Sequence, residues 1–316
     1  MAEISATPAN KRSTHTTAVL QALFVTFLWS TSWVLIKVGL EDIPALTFAG
    51  LRYMLAFLCL LPFTLARTKP AEWRSLTRGD WLRLVLLGVL YIAITQGAQF
   101  LALAYLPAVS VSLLLNLTTS LVALSGIVLL AEYPSVLQWG GIFLNLVGIL
   151  IYFYPASLPG GKVFGIIVAL TGVTAKVASS ILARRINRAA NITPLQVTTV
   201  SMGFGALLLL GTGIATQGLP HLSFLNWAAI AWLAVVNTAF TFPLWNKTLR
   251  VLTAVESSII NNTMLIQIAL LVWIFLGESI TWKEGFGMLL AAAGALLVQL
   301  RLKQKKGSRS GIPPLG

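Results

Sequence analysis

The sequence predicts an all-α membrane protein of ten transmembrane helices, arranged as two inverted five-helix repeats. Three observations predict it. Of the 316 residues, 57% are hydrophobic and only 10% charged, whereas a soluble domain of this length carries about a quarter charged residues. The apolar residues fall into ten runs of roughly the 20 residues that a helix needs to cross the hydrocarbon core. Finally, the chain resembles itself at a fixed offset of five runs.

The runs cover residues 18–40, 43–66, 81–104, 107–131, 136–155, 163–185, 194–216, 224–247, 252–277 and 281–301. Pro44, Pro107 and Pro194 stand at run starts, where a missing N–H costs a helix nothing. The first run follows Lys11 and Arg12, is too long for a signal peptide, contains Trp29, Trp33 and Lys37, and ends without a small-residue cleavage site. It is therefore expected to be retained as a span. The segments 157–162 (SLPGGK) and 217–223 (QGLPHLS) read as turns, and residues 1–17 and 302–316 as polar tails.

Basic residues orient the spans. Of the 22, seventeen fall on one side, in the N-terminal tail, the 67–83 segment, 184–188, 247–250 and the C-terminal tail. Only Lys37, Lys162 and Lys283 fall on the other, and Arg52 and Lys176 lie inside spans. The asymmetry predicts a multi-pass protein of the cell (inner) membrane with both termini cytoplasmic. The formal charge of +13 is thus spent on topology, and no basic folded domain is present to bind nucleic acid.

Compared without gaps against the residue 146 positions later, segment 81–152 shows 19 identities in 72 positions. The polar ones carry the signal: Thr95 meets Thr241, Ser112 meets Ser258, Asn116 meets Asn262 and Glu132 meets Glu278. Gly141 meets Gly287 and Gly148 meets Gly294. Spans one and two match six and seven through Ile43-Pro44 against Thr193-Pro194. A repeat of five spans inverts the second copy, the arrangement used by secondary transporters.

These features resemble the drug/metabolite transporter superfamily, in its EamA-like family. The resemblance rests on Trp29-Ser30-Thr31-Ser32 with Lys37, on Pro44 and Leu51-Arg52, and on two copies of a repeat end. Those ends are Leu130-Ala131-Glu132 with Gly141 and Gly148, and Leu276-Gly277-Glu278 with Gly287 and Gly294. It covers residues 18–155 and 163–301 as two five-helix repeats, and each short motif is weak alone. The proline that the family often places about 13 residues before the motif glutamate is replaced by Thr118-Thr119 and Met264-Leu265. The resemblance implies export or exchange of amino acids or other metabolites without ATP.

Polar side chains in hydrocarbon face a partner or a cavity. Tyr91, Thr95 and Gln99 recur every four residues on one face of span three, and Asn237, Thr241 and Trp245 are their mates in span eight. Ser112 and Asn116 in span four match Ser258 and Asn262 in span nine. Trp29 and Trp33 form a stripe in span one, able to stack on a substrate or to pack against lipid. Together with Lys176 these are the expected cavity lining, with interhelical hydrogen bonding as the competing role. Arg52 and Lys176 each need water, a carbonyl, an acid or an anionic substrate group. Glu256 is the candidate counter-ion or proton carrier, so Arg52 and Glu256 are the expected coupling or ion-pair residues. Glu132 and Glu278 are expected to anchor helix ends at opposite faces.

The expected function is therefore a secondary transporter that moves a small metabolite by alternating access, with no cofactor. A channel, a lipid scramblase or a non-transporting membrane receptor or assembly protein are the alternatives. The partners are the lipid bilayer and a small-molecule substrate; a coupling proton or ion and a homodimer stay open. An enzyme would need gathered acids or histidines. His15 and His221 lie in a tail and a loop, and Cys59 is the single cysteine. No phosphate-cradling G-x-x-x-x-G-K-[ST] loop is present for an ATP-driven pump.

Overall fold

The computed structural model describes residues 8–130, 134–154, 160–188, 192–249 and 251–299. Its helices are α1 (Pro8–Gly39), α2 (Ala45–Arg67), α3 (Arg78–Tyr105), α4 (Ala108–Leu130) and α5 (Val136–Phe153). They continue as α6 (Gly160–Arg188) and α7 (Pro194–Gln217). Next comes α8, built from Phe224–Ala234, Val235–Phe240 and Thr241–Thr248, then α9 (Ala254–Leu276) and α10 (Trp282–Gln299). A short helical turn, Pro70–Arg74, joins α2 to α3. Among the described residues nine helices are long and apolar enough to cross a bilayer. The tenth, α10, has Lys283 and Glu284 in its first turn and is dominated by alanine and glycine farther on.

Local sequence sets the starts. Capping boxes, in which a Ser or Thr and the residue three positions on satisfy each other's backbone N–H, begin α3 (Thr77, Asp80), α5 (Ser135, Gln138), α7 (Thr193, Gln196) and α9 (Thr253, Glu256). The same reciprocal bonds join Thr281 and Glu284 at the start of α10. Pro194 occupies the first turn of α7. At these water-facing ends the cap supplies partners that lipid cannot.

Two helices depart from regular winding at matching places. Val89–Gln96 in α3 and Val235–Phe240 in α8 are π-helical, and their first residues lie 146 positions apart. In each, a threonine hydroxyl bonds the carbonyl five residues back: Thr95 to Leu90 and Thr238 to Leu233. π segments commonly mark functional sites.

Helix packing obeys the repeat. α2 pairs with α7 and α5 with α10, each with its own mate, and α4 touches α9. The pair α1–α9 has its mate in α6–α4, α1–α8 in α6–α3, and α2–α8 in α7–α3. The α5–α10 crossing is made by the motif glycines. A Cβ on Gly141 would stand 2.8 Å from the Gly294 carbonyl, and one on Gly294 2.6 Å from the Gly141 carbonyl. Gly148 and Gly287 are related in the same way, at 2.6 and 2.7 Å. Small residues let the backbones touch, which is how membrane helices gain contact without a hydrophobic driving force. Asn145 ties the junction, accepting from Ser120 at 3.1 Å and donating to the Ala291 carbonyl at 2.8 Å. Large apolar side chains such as Leu20, Phe24, Leu150 and Ile274 point outward, as lipid requires.

The symmetry is broken in one respect. Near the ends of α1 and α3 and the start of α4, α1 packs on α3 and α4, and α3 on α2. The mates of these contacts, α6–α8, α6–α9 and α8–α7 at the opposite end, have no comparable counterpart among the described residues. Up-and-down connectivity puts the start of α1 and the end of α10 on one side, called here the N side. The bundle is closed on the far side and splayed on the N side.

Candidate transport cavity

The splayed end opens into a cavity of about 1330 Å³ at the interface of the two repeats. Its mouth is formed by Ser135 and Gln138 at the start of α5, Arg184 near the end of α6, Leu249 after α8 and Gln299 at the end of α10. Its floor holds Trp33, Arg52, Tyr53, Gln99, Ser112 and Ile268. Below the floor Ile36, Phe48, Phe100, Leu103 and Leu113 are all fully buried, with the Phe48 and Phe100 rings edge to face at 5.3 Å.

Polar contacts seal the far side. The Lys37 ammonium donates to the Leu103 and Leu106 carbonyls at 2.6 and 2.9 Å, at the C-terminus of α3. A cation there also meets the negative end of the helix dipole. Glu278 accepts the Ala108 N–H that opens α4, at 3.3 Å. It therefore anchors a helix end across the repeat boundary; its mate Glu132 lies outside the described residues. Gln217 accepts the Leu46 N–H at 2.8 Å, and Ser110 bonds Tyr152 at 3.1 Å.

The structure brings together most of the predicted lining. Trp29, Trp33, Tyr91, Gln99, Ser112, Asn116, Lys176, Asn237, Trp245 and Asn262 all face the cavity, as does Arg52. The side chain of Ser258 lies outside the described residues. Thr95 and Thr241 do not line it. The expected stripe assumes 3.6 residues per turn, and the π winding shifts the phase. Thr95 turns to the Leu90 and Gly172 carbonyls, and Gln96 takes its place in the cavity. In α8, Thr241 bonds the Asn237 carbonyl and the Trp29 indole N–H, both at 2.9 Å, and Phe242 lines the cavity instead. The substitution is symmetric, because Gln96 and Phe242 are repeat mates. Trp29 is thereby held beside Trp245 and Phe242, with ring centroids 5.3 and 5.8 Å away.

Several amides are left incomplete. The Asn116 Oδ1, the Asn262 Nδ2 and the Asn237 Oδ1 are buried with no hydrogen-bond partner among the described residues, although Asn237 donates to the Leu28 carbonyl. A buried polar atom without a partner costs ~1–3 kcal/mol.

Arg52 and Glu256, the expected coupling or ion-pair residues, are not paired with each other. Glu256 caps the start of α9, before the apolar stretch, and meets His15 at 2.9 Å. The N–H and hydroxyl of Thr253, then His15, hold its carboxyl below the usual carboxylate range. A lowered pKa means that its contribution to stability is present above that range and lost as acid titrates it through the lowered value. Glu256→Gln is accordingly expected to leave the pH profile of flux between pH 6 and 8 unchanged (roughly two or more units above a carboxylate's usual titration); a profile displaced in the variant would assign it a coupling role. The sequence reading missed Tyr53, Gln96, Ser180, Arg184 and Asn261, which also line the cavity. Ser180 and Arg184 were legible as the continuation of Lys176 at four-residue spacing.

The model of the EamA-like transporter family matches residues 16–154 and again residues 163–300. The chain belongs to the EamA-like transporter family. Its EamA relatives include an uncharacterized transporter of Bacillus subtilis, YvbV, 24% identical over 314 residues, 96% of this chain and 98% of that one. A protein of Salmonella typhimurium named "Probable amino-acid metabolite efflux pump" is 25% identical over 304 residues, 91% and 96% of the two chains. A crystal structure covering 89% of this chain and 97% of its own superposes with a TM-score of 0.64 at 18% identity, a likeness of fold alone. The two family matches coincide with the two structural repeats, so this EamA-like protein is a multi-pass membrane protein of a transporter family.

Proposed function

We propose that this protein is a secondary carrier that exports a small metabolite, of the amino-acid kind, by alternating access. The observation that supports it is the broken symmetry. Two repeats that are otherwise packed alike differ in whether α1 or α6 engages its neighbours. Exchanging the two arrangements would close the N side and open the far side without new folding, a population shift between two states that the same sequence supports. The basic N side reads as cytoplasmic, so the present state faces the cell interior. The name of the Salmonella relative is compatible with this direction. The site residues above serve as the substrate's contacts in this scheme, and each half, 18–155 and 163–301, acts as one moving unit.

In the exchanged state the end of α6 closes on α8, as the end of α1 now closes on α3. Leu249 is the repeat mate of Leu103, and Arg184 faces it across the mouth. The variant Arg184→Cys/Leu249→Cys is therefore expected to cross-link with a short bis-methanethiosulfonate, which joins the two thiols through reducible disulfides and releases sulfinate, and the cross-link to stop flux. Reduction or omission of the reagent restores it. Reconstituted vesicles test the carrier directly. Labelled-substrate uptake is expected to be saturable and to accelerate when unlabelled substrate is inside. A rate that rises linearly with concentration and ignores internal substrate would indicate a channel or scramblase, and the cross-link would then leave flux intact.

A further inference from the structure

We propose that the substrate carries a carboxylate and that Arg52, on the cavity floor, is the group that binds it. This rests on the carrier reading for its biological meaning, but on the cavity itself for its chemistry. Arg52 is 6% exposed and lines the cavity. Among the described residues its Nε has no hydrogen-bond partner, and one terminal nitrogen reaches the Thr238 hydroxyl only at 3.4 Å. The rings of Tyr53 and Phe100 hold the guanidinium at 5.2 and 5.9 Å from their centroids. Such contacts fix the plane of the group and leave its N–H edge for another partner.

No acid offers itself as that partner. Among the described residues the cavity lining contains Arg52, Lys176 and Arg184 and no aspartate or glutamate. The ion pairs among them, His15 with Glu256 and Arg83 with Asp80, lie elsewhere. A buried cation is retained against its cost where it meets a charge. The charge that can arrive here is the ligand's. One guanidinium edge, with Nε and a terminal nitrogen side by side, matches two coplanar oxygens, which is the shape of a carboxylate.

The approach is also cationic. Lys176, Ser180 and Arg184 follow one another at four-residue spacing on α6, and all three face the cavity. They lead from the mouth towards its middle and favour the entry of an anion. Trp29, Trp33 and Trp245 supply apolar surface beside that route. The ligand is thus an organic carboxylate, anionic or zwitterionic as a whole, with a partly apolar remainder.

The test compares acids with their own primary amides, on the full chain in detergent and in vesicles. The panel contains the standard amino acids and simple mono- and dicarboxylates, each beside its amide, read by thermal stabilisation. At least one acid is expected to bind the wild type about tenfold or more tightly than its amide, the difference of about 1.4 kcal/mol or more that one lost charged contact makes. Arg52→Gln is expected to bring the acid to the affinity of the amide, Arg52→Lys to keep part of the preference, and Lys176→Met to weaken acids and not amides. The acid-to-amide comparison in the wild type does not depend on any variant folding. Equal affinity of acid and amide there, no acid that stabilises it, or an undiminished preference in Arg52→Gln overturns the proposal. Flux separates it from the carrier reading. An amide exchanged as fast as its acid would sink carboxylate recognition alone, and tight acid binding without exchange would sink the carrier alone.

Discussion

Asn262→Leu is expected to cut substrate flux about tenfold to a hundredfold while the protein still inserts and purifies in one oligomeric state. Leucine matches asparagine in bulk but neither donates nor accepts. Asn262 lines the cavity and its Nδ2 is buried with no hydrogen-bond partner among the described residues, so loss of that nitrogen breaks no hydrogen bond among them. What is lost is one contact to the ligand, and a ligand group left unpaired in a dry site costs ~1–3 kcal/mol, the range that sets the fold-loss. Asn116→Leu removes the repeat mate, whose Oδ1 is equally unpartnered, and the same loss is expected. The variants are to be compared in vesicles at equal protein density. Wild-type flux in either one removes that asparagine from the site, and a parallel fall in melting temperature would point to packing instead.

Gly148→Leu and Gly294→Leu are expected to abolish folding rather than transport. At both positions an added Cβ would fall within 3 Å of the opposing backbone, Gly287 in one case and Gly141 in the other. Backbone atoms cannot move aside as a flexible side chain does, so the helices must part. Overpacking costs ~1–3 kcal/mol even where the core adapts, and here the lost contact is the entire α5–α10 crossing. Gly140→Leu and Gly285→Leu are the controls, because an added Cβ meets nothing within 4 Å at either site. Size-exclusion profiles in mild detergent are expected to show aggregation for the first two and wild-type behaviour for the controls. If all four behave alike, the crossing is not what holds these helices together.

Much of the cavity lining was legible because burial in lipid is so selective. A polar residue inside an apolar run has few reasons to be there, and Asn116, Asn262, Lys176 and Arg52 were found on that ground alone. Thr95 and Thr241 were placed in the cavity by assuming regular winding. Their hydroxyls instead turn to backbone and to Trp29, because each helix is π-wound there. Nothing in a string of apolar residues announces an i→i+5 turn. Glu256 was read as an acid well inside a span because the span was taken to begin at 252, whereas Glu256 sits in the first, capping turn of α9. The Thr253-x-x-Glu256 pattern is a capping box, and that signal was present in the sequence.

Hydrophobicity and the 146-residue repeat were enough to predict ten helices in two halves, since a chain in lipid must satisfy its own backbone, and the family followed from the resemblance of its short motifs, which the family model matches over both halves. The tertiary structure alone decided which end is open, which side of each polar helix faces the cavity, and that Arg52 meets no acid. Those outcomes depend on contacts between distant segments. In the proposed carrier two arrangements of the same repeats would compete, and a linear sequence that encodes both cannot say which one is occupied.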